Sequence, residues 1–311
     1  MYKKQIINFI NKILKPIDTL LQKLIINNDK LMPIFIIGAP RTGSTLLYQF
    51  MVASWDVAYL SNLHCKLYRL PVLASILCKT VFHFKKYSPD FKSLYGQTEG
   101  QLGPSECGQF WYQWLPFDKH YIQAGEISQH HRDSIKNAVG AVRTIYRKPL
   151  IFKNMNCGQR LGLLYEIFPS ALFLFCRRSP IFIAQSILLA RDKINKDRKR
   201  WWSIMPKEYS EINLEPPHSQ IVKQIYFIEK QIKDDLEKYY SERYLEIWYE
   251  DLTKDPIKVL KTIQNFVEMK DLHIHVNQYP KNQFKNENVQ KINDQDFAIL
   301  KAKIDEYYDK I

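Results

Sequence analysis

The feature that most constrains this chain is the stretch Ile36-Ile37-Gly38-Ala39-Pro40-Arg41-Thr42-Gly43-Ser44-Thr45-Leu46. An apolar, β-branched run, Ile34 to Ile37, enters a turn with glycine at positions 38 and 43. Helix spacing follows at once, with Leu46, Leu47, Phe50 and Met51 apolar. A helix that starts directly out of a strand leaves its first backbone N–H groups without partners, and the positive end of its dipole stands behind them. Such a turn holds an anion.

The spacing from Gly38 to Gly43 matches the phosphate-binding pattern G-x-x-x-x-G-K-[ST], but the lysine is missing. Ser44 stands in its place, and the nearest cation is Arg41, ahead of the second glycine. A loop that keeps its anion cradle and moves its cation is not built for ATP or GTP with magnesium.

Strand candidates recur at Ile34–Ile37, Val57–Leu60, Leu150–Lys153, Leu172–Cys176 and Tyr244–Tyr249. Each is short, apolar and β-branched or aromatic, as strands buried on both faces are. Helical patterns lie at 44–53, 159–168, 180–191 and 218–240, and Asp255-Pro256 opens one through Val267 as N-cap and N1. Strands alternating with helices predict an α/β fold, a parallel β-sheet flanked by helices, with ligands outside the carboxyl ends of the strands. Residues 61–148 form a long aromatic-rich insertion, expected to shape a substrate site. Beyond residue 270 the chain turns polar, with His273 and His275 expected on one strand face, before a terminal helix.

The division expected is a 1–30 N-terminal amphipathic helical segment and a 31–311 main domain. Residues 1–27 read as one or two basic amphipathic helices, interrupted at Pro16, with isoleucines and leucines alternating with lysines such as Lys12, Lys15 and Lys23. They either pack on the protein's own sheet or lie peripherally on an anionic membrane. No apolar run is long enough to span a bilayer, and no secretory leader is expected. Among the 311 residues, 46% are hydrophobic, ample for a core, and the net charge is +13. These cations spread along the whole chain rather than in a stripe, which argues against nucleic acid as a partner. Five cysteines (Cys65, Cys78, Cys107, Cys157, Cys176) at irregular spacing, with no CxxC pair, read as reduced thiols of a cytoplasmic protein without a metal site.

A second anion site is written in residues 176–191. A buried strand ends at Cys176, Arg177 and Arg178 follow, and Ser179-Pro180 opens a helix that carries Ser186. An arginine at the strand end and a serine on the next helix can clamp one phosphate. Taken with the first loop, this describes a ligand with two separate anionic groups.

The pair resembles the sulfotransferase family, which uses 3′-phosphoadenosine-5′-phosphosulfate (PAPS). Pro40-Arg41-Thr42-Gly43-Ser44-Thr45 matches that family's 5′-phosphosulfate loop, P-[KR]-[ST]-G-[ST]-T, at every position. Arg178-Ser179-Pro180 through Ser186 matches the spacing of its 3′-phosphate motif, R-D-P-x-x-x-x-x-S, with Ser179 in place of the usual aspartate; serine keeps the N-cap role. Tyr249-Glu250-Asp251-Leu252 with Asp255-Pro256 is similar to the family's Y-E-D-L-x-x-[DN]-P, and Lys153 at the third strand's end resembles a family lysine. The resemblance implies a P-loop-NTPase-like sulfotransferase fold and PAPS as co-substrate with no metal. The donor would be held by Arg41, Thr42, Gly43, Ser44, Thr45, Arg178 and Ser186.

A sulfuryl group carries less negative charge than a terminal phosphoryl group. Side-chain cations and helix N–H groups can therefore stabilise its in-line displacement. Arg41 is the expected cation at the sulfuryl group, with Lys153 assisting. A base must also take the acceptor's proton. Some family members place a glutamate just after the second strand, where this chain has Asn62, which cannot serve. The preferred candidate is Glu106, in Gly103-Pro104-Ser105-Glu106-Cys107-Gly108-Gln109-Phe110-Trp111, near the relative place of the family's catalytic histidine. An aromatic wall of Phe110, Trp111, Tyr112 and Trp114 would raise its pKa. Glu99 and His64 are the other candidates. The acceptor, a hydroxyl of a small molecule, glycan or lipid, has no motif, and oligomeric state has none either. Two other readings stay open: a PAPS-binding homologue without activity, and a nucleotide-dependent kinase.

Overall fold

The computed structural model describes residues 2–25, 31–81, 87–91 and 96–308, with side chains from Gln5 onward. Five parallel strands form its centre: β1 (Ile34–Gly38), β2 (Ala58–Tyr59), β3 (Leu150–Lys153), β4 (Leu172–Arg177) and β5 (Tyr244–Trp248), in the order β2-β3-β1-β4-β5. The helices, in chain order, are α1 (Tyr2–Ile25), α2 (Ser44–Ser54), α3 (Asn62–Lys66), α4 (Pro71–Thr80), α5 (Gly108–Trp111) and α6 (Gln129–Tyr146). They continue with α7 (Leu161–Ile167), α8 (Pro180–Ala190), α9 (Tyr209–Ile212), α10 (Pro217–Tyr240), α11 (Tyr249–Lys254), α12 (Pro256–Glu268) and α13 (Asp294–Tyr308).

Alternate residues of the strands feed two cores. Phe35, Ile37, Phe152, Phe173 and Phe175 face the layer that holds α6, α7, α8 and α10. Ile34, Ile36, Ile151, Leu172 and Leu174 face α2 and α12. Phe35 is in register with Phe152 on one side and Phe173 on the other. The three rings stack at 5.3 and 5.4 Å, a ladder across the middle of the sheet. Gly38 closes β1 at φ 148°, where a Cβ would fall 2.5 Å from the Cys176 carbonyl oxygen of β4. Only glycine allows that approach.

Three expectations are corrected. The strand expected at Val57–Leu60 is a two-residue edge strand, because it has a single partner and the ladder ends with Ala58 and Tyr59 on β3. His273 and His275 lie on no strand; their segment follows an irregular path with one bridge, Trp55 to Val276. α1 runs unbroken through Pro16, which lies on the exposed side, where water can take the carbonyl that the missing N–H frees. Residues 26–27 of the predicted amphipathic segment lie outside the described residues.

Candidate active site

Strand order reverses at β1, with β3 on one side and β4 on the other. The loops leaving β1 and β4 therefore diverge and open a crevice at the carboxyl edge of the sheet. That crevice is a cleft of about 1020 Å³. Arg41, Gly43, Ser44, Thr45, Glu106, Lys153, Arg178 and Ser186 all line it. Residues far apart in sequence and singled out separately thus share one cavity.

The first loop is a strained turn. Arg41 sits at φ 72° and Gly43, the N-cap of α2, at φ 80°. A Cβ on Gly43 would lie 2.5 Å from the Tyr249 ring. For Arg41 the left-handed backbone costs about 1–2 kcal/mol, and the structure supplies a restraint. Arg178 Nη1 donates to the Arg41 carbonyl at 3.0 Å. Thr42 turns away from the cleft, its hydroxyl donating to the Ala39 carbonyl at 3.0 Å, so its side chain ties the loop together. Ser44 and Thr45 open α2, whose first turn presents its N–H groups to the cleft.

The second loop is wired to the first. Arg41 Nε donates to Ser186 Oγ of α8 at 2.8 Å. Arg178 lies over the Tyr249 ring, its Cζ 4.3 Å from the ring centre. Its Nε donates to Asn288 Oδ1 at 2.8 Å and its Nη2 to the Glu287 carbonyl at 3.3 Å. Burial, with the Arg41 charge adding to it, draws its pKa down; a guanidinium stays charged nonetheless. Ser179 does not cap α8 as expected: its side chain makes no capping bond. Its N–H donates instead to Glu250 Oε1 at 3.0 Å. The Tyr249-Glu250 dipeptide is therefore the floor beneath the second loop, Tyr249 under the guanidinium and Glu250 under the turn.

On the other wall Lys153 Nζ donates to Glu106 Oε1. The lysine side chain is 3% exposed and the glutamate 36%. The ammonium is thus largely covered at the cleft wall while the carboxylate beside it is more open. Asn154 Nδ2 holds the Glu106 carbonyl at 3.0 Å. Of the four aromatic residues expected around this carboxylate, Tyr112 lines the cleft with it and Trp114 packs against the core. Phe110 and Trp111 point into the core, and what meets Glu106 is a cation.

The other base candidates are placed differently. His64 is buried, its Nδ1 accepting the Ser61 N–H at 3.1 Å and its Nε2 3.1 Å from Ser75 Oγ. Burial pushes its pKa down to about 4. Neither His64 nor Glu99 is among the residues that line the cleft. Asn62 lines it, but its amide is committed to the carbonyls of Thr98 and Gly100, each at 2.8 Å.

The profile of the Sulfotransferase family matches residues 33–272. The chain belongs to the sulfotransferase family. Among solved structures, sulfotransferase STF9 from Mycobacterium avium is similar over 89% of this chain and 69% of its own, at 14% identity and a TM-score of 0.50. Sulfotransferase STF1 from Mycobacterium tuberculosis H37Rv is similar over 90% and 77%, at 16% identity and a TM-score of 0.51. At such identities the likeness is one of fold. No curated protein matches the chain significantly.

Two parts of the cleft had no sequence signal of their own. One is the segment 284–291, expected only as a polar stretch. Phe284, Lys285, Glu287 and Lys291 line the cleft, and Gln185 of α8 holds the segment by bonding the Val289 carbonyl and the Lys291 N–H. The other is His120, which also lines the cleft. Its Nδ1 accepts the Met205 N–H at 2.8 Å, and burial, with Arg160 nearby, pushes its pKa down to about 4. The neutral ring therefore carries its proton on Nε2 and is a donor, not a base, at neutral pH.

Proposed function

We propose that the protein transfers the sulfuryl group of PAPS to a hydroxyl of a small-molecule, glycan or lipid acceptor by in-line displacement. The observation that carries this is the linkage of the two anion loops. Arg41 reaches Ser186 through its side chain and Arg178 through its carbonyl. Two cationic pockets so joined suit one ligand with an anionic group at each end. The lining chemistry fits that donor: three cations (Arg41, Arg178, Lys153), three hydroxyls (Ser44, Thr45, Ser186) and a helix N-terminus.

When bound, PAPS supplies the sulfuryl group, with 3′-phosphoadenosine 5′-phosphate (PAP) as the leaving nucleotide. The N–H groups that open α2, through Thr42, Gly43, Ser44 and Thr45, hold the 5′ end, with Arg41 as the cation nearest the transferred group. Arg178 and Ser186 hold the 3′-phosphate. Glu106 accepts the acceptor's hydroxyl proton, and Lys153 positions that carboxylate and adds positive charge to the wall where charge develops. In this reading residues 31–311 are the catalytic unit, with 61–148 shaping the acceptor side. The five free cysteines are in keeping with a reducing, cytoplasmic setting.

Thermal shift with PAP against ATP and magnesium tests the donor. PAP at a hundred times its Kd stabilises by about 2.7 kcal/mol; ATP with magnesium does much less. Arg41→Ala and Ser186→Ala each cancel the PAP shift, and an intact shift in both refutes the clamp. Glu106→Gln keeps the shift while kcat falls about 10²- to 10⁴-fold. Undiminished turnover in that variant removes Glu106 as the base.

A further inference from the structure

α1 buries three polar residues and leaves an apolar stripe exposed. An ordinary surface helix buries its apolar stripe. Here Asn11, Asp18 and Gln22 are buried, while Ile6, Phe9, Ile13, Ile17, Leu20 and Leu24 are each more than half exposed. The buried polar residues explain the orientation. Asp18 accepts the N–H groups of Leu73 and Val72, at 2.9 and 3.5 Å, in the first turn of α4. It thereby caps a helix whose own N-cap, Leu70, has no side-chain bond to give. Asn11 Nδ2 donates to the Lys66 carbonyl at 2.8 Å, and its Oδ1 accepts the Arg69 N–H at 3.0 Å. These bonds fix the roll of α1 about its axis, so the apolar stripe points to solvent by construction.

At about 100° per residue the six apolar side chains fall within an arc of roughly 80°. Exposed Lys12, Lys15 and Lys23 follow one flank. From Gln5 to Ile25 the sole acidic residue is Asp18, and it is buried. The outward surface is thus apolar and cationic, with no negative charge. We propose that α1 docks the protein on an anionic lipid bilayer, the stripe entering the acyl boundary and the lysines meeting headgroup phosphates. Charge complementarity selects this occupant. A second copy packed antiparallel on the stripe would bring two rows of lysines to the same side, and α1 exposes no acidic residue to pair with them from Gln5 to Ile25. Among the described residues no helix is long and apolar enough to cross a membrane, so α1 lies in the interface plane. The proposal does not depend on which donor or acceptor the cleft takes.

Co-sedimentation of the full chain with vesicles tests it. The protein is expected to sediment with equal parts phosphatidylcholine and phosphatidylglycerol, far less with phosphatidylcholine alone, and less as salt rises. The Phe9→Ser, Ile13→Ser, Leu20→Ser triple variant changes only exposed side chains. It is expected to melt like the wild type and to partition at least about tenfold more weakly. The Lys12→Glu, Lys15→Glu, Lys23→Glu variant is expected to treat both vesicle types alike. Wild-type protein that stays in the supernatant with anionic vesicles overturns the proposal, and so does a serine variant that sediments as well as the wild type. Light scattering on the same samples gives a third overturning result: a dimer that the serine variant dissolves, without vesicle binding, makes the occupant a second copy.

Discussion

Gly43 shows how much of the site hangs on one missing methyl group. It sits at a left-handed φ and against the Tyr249 ring, and Tyr249 is also the shelf under Arg178. Gly43→Ala adds the left-handed penalty of about 1–2 kcal/mol and pushes on that shelf, so one substitution disturbs both anion loops. The urea midpoint is expected to fall and the PAP-induced thermal shift to shrink together; an alanine variant with both intact would contradict the packing described. At this scale the first loop was legible because its residues are contiguous, so spacing alone carries the geometry. Glu106 was legible as a candidate from its position, but its surroundings were not. Phe110 and Trp111, which follow it, point into the core, and its partner Lys153 arrives from β3. A linear pattern holds no record of which neighbour folds against a carboxylate.

Among the elements, α10, β4 and α13 are joined at one buried carboxyl. Glu229 of α10 meets Arg177 at 3.5 Å and accepts from Tyr308 at 3.2 Å, and its Oε1 has no partner among the described residues. Burial outweighs the arginine and pushes its pKa up to about 7. The folded state therefore binds this proton more tightly than the unfolded chain. The resulting stability is present below the ordinary glutamate pKa of about 4.5 and is lost as pH rises through about 7. Across that window wild-type stability is expected to fall by about 3 kcal/mol relative to Glu229→Gln, read by urea unfolding at several pH values. Parallel curves would mean that the carboxyl does not titrate there. Helix spacing announced α1, α2, α8, α10 and α12 well, because apolar periodicity is a local property. Which face of α1 turns inward was not legible: the groups that recruit Asp18 and Asn11 are backbone atoms of residues 66–73, and backbone atoms are the same in every sequence.

For the molecule as a whole, the ladder of Phe152, Phe35 and Phe173 ties three adjacent strands to the helical layer behind them. Phe35→Ala is expected to cost about 3–5 kcal/mol in urea unfolding, because its ring also touches Trp111 and Phe168 and the gap has no loop to relax into. A loss below about 1 kcal/mol would show that the sheet does not depend on this stack. The parallel α/β class followed from strands alternating with helices, but the strand order β2-β3-β1-β4-β5 did not, since neighbours in a sheet are chosen by packing. The same holds for the segment 284–291, whose contribution to Arg178 is one carbonyl and one amide side chain. That late arrival bears on how the protein is made. Asn288 joins the chain 110 positions after the arginine it braces. During translation, then, both strand-end loops emerge with their motifs complete while this arginine still lacks its backing. A ribosome-bound fragment stalled short of residue 285 would carry both strand-end motifs with this arginine still missing two of its hydrogen-bond partners.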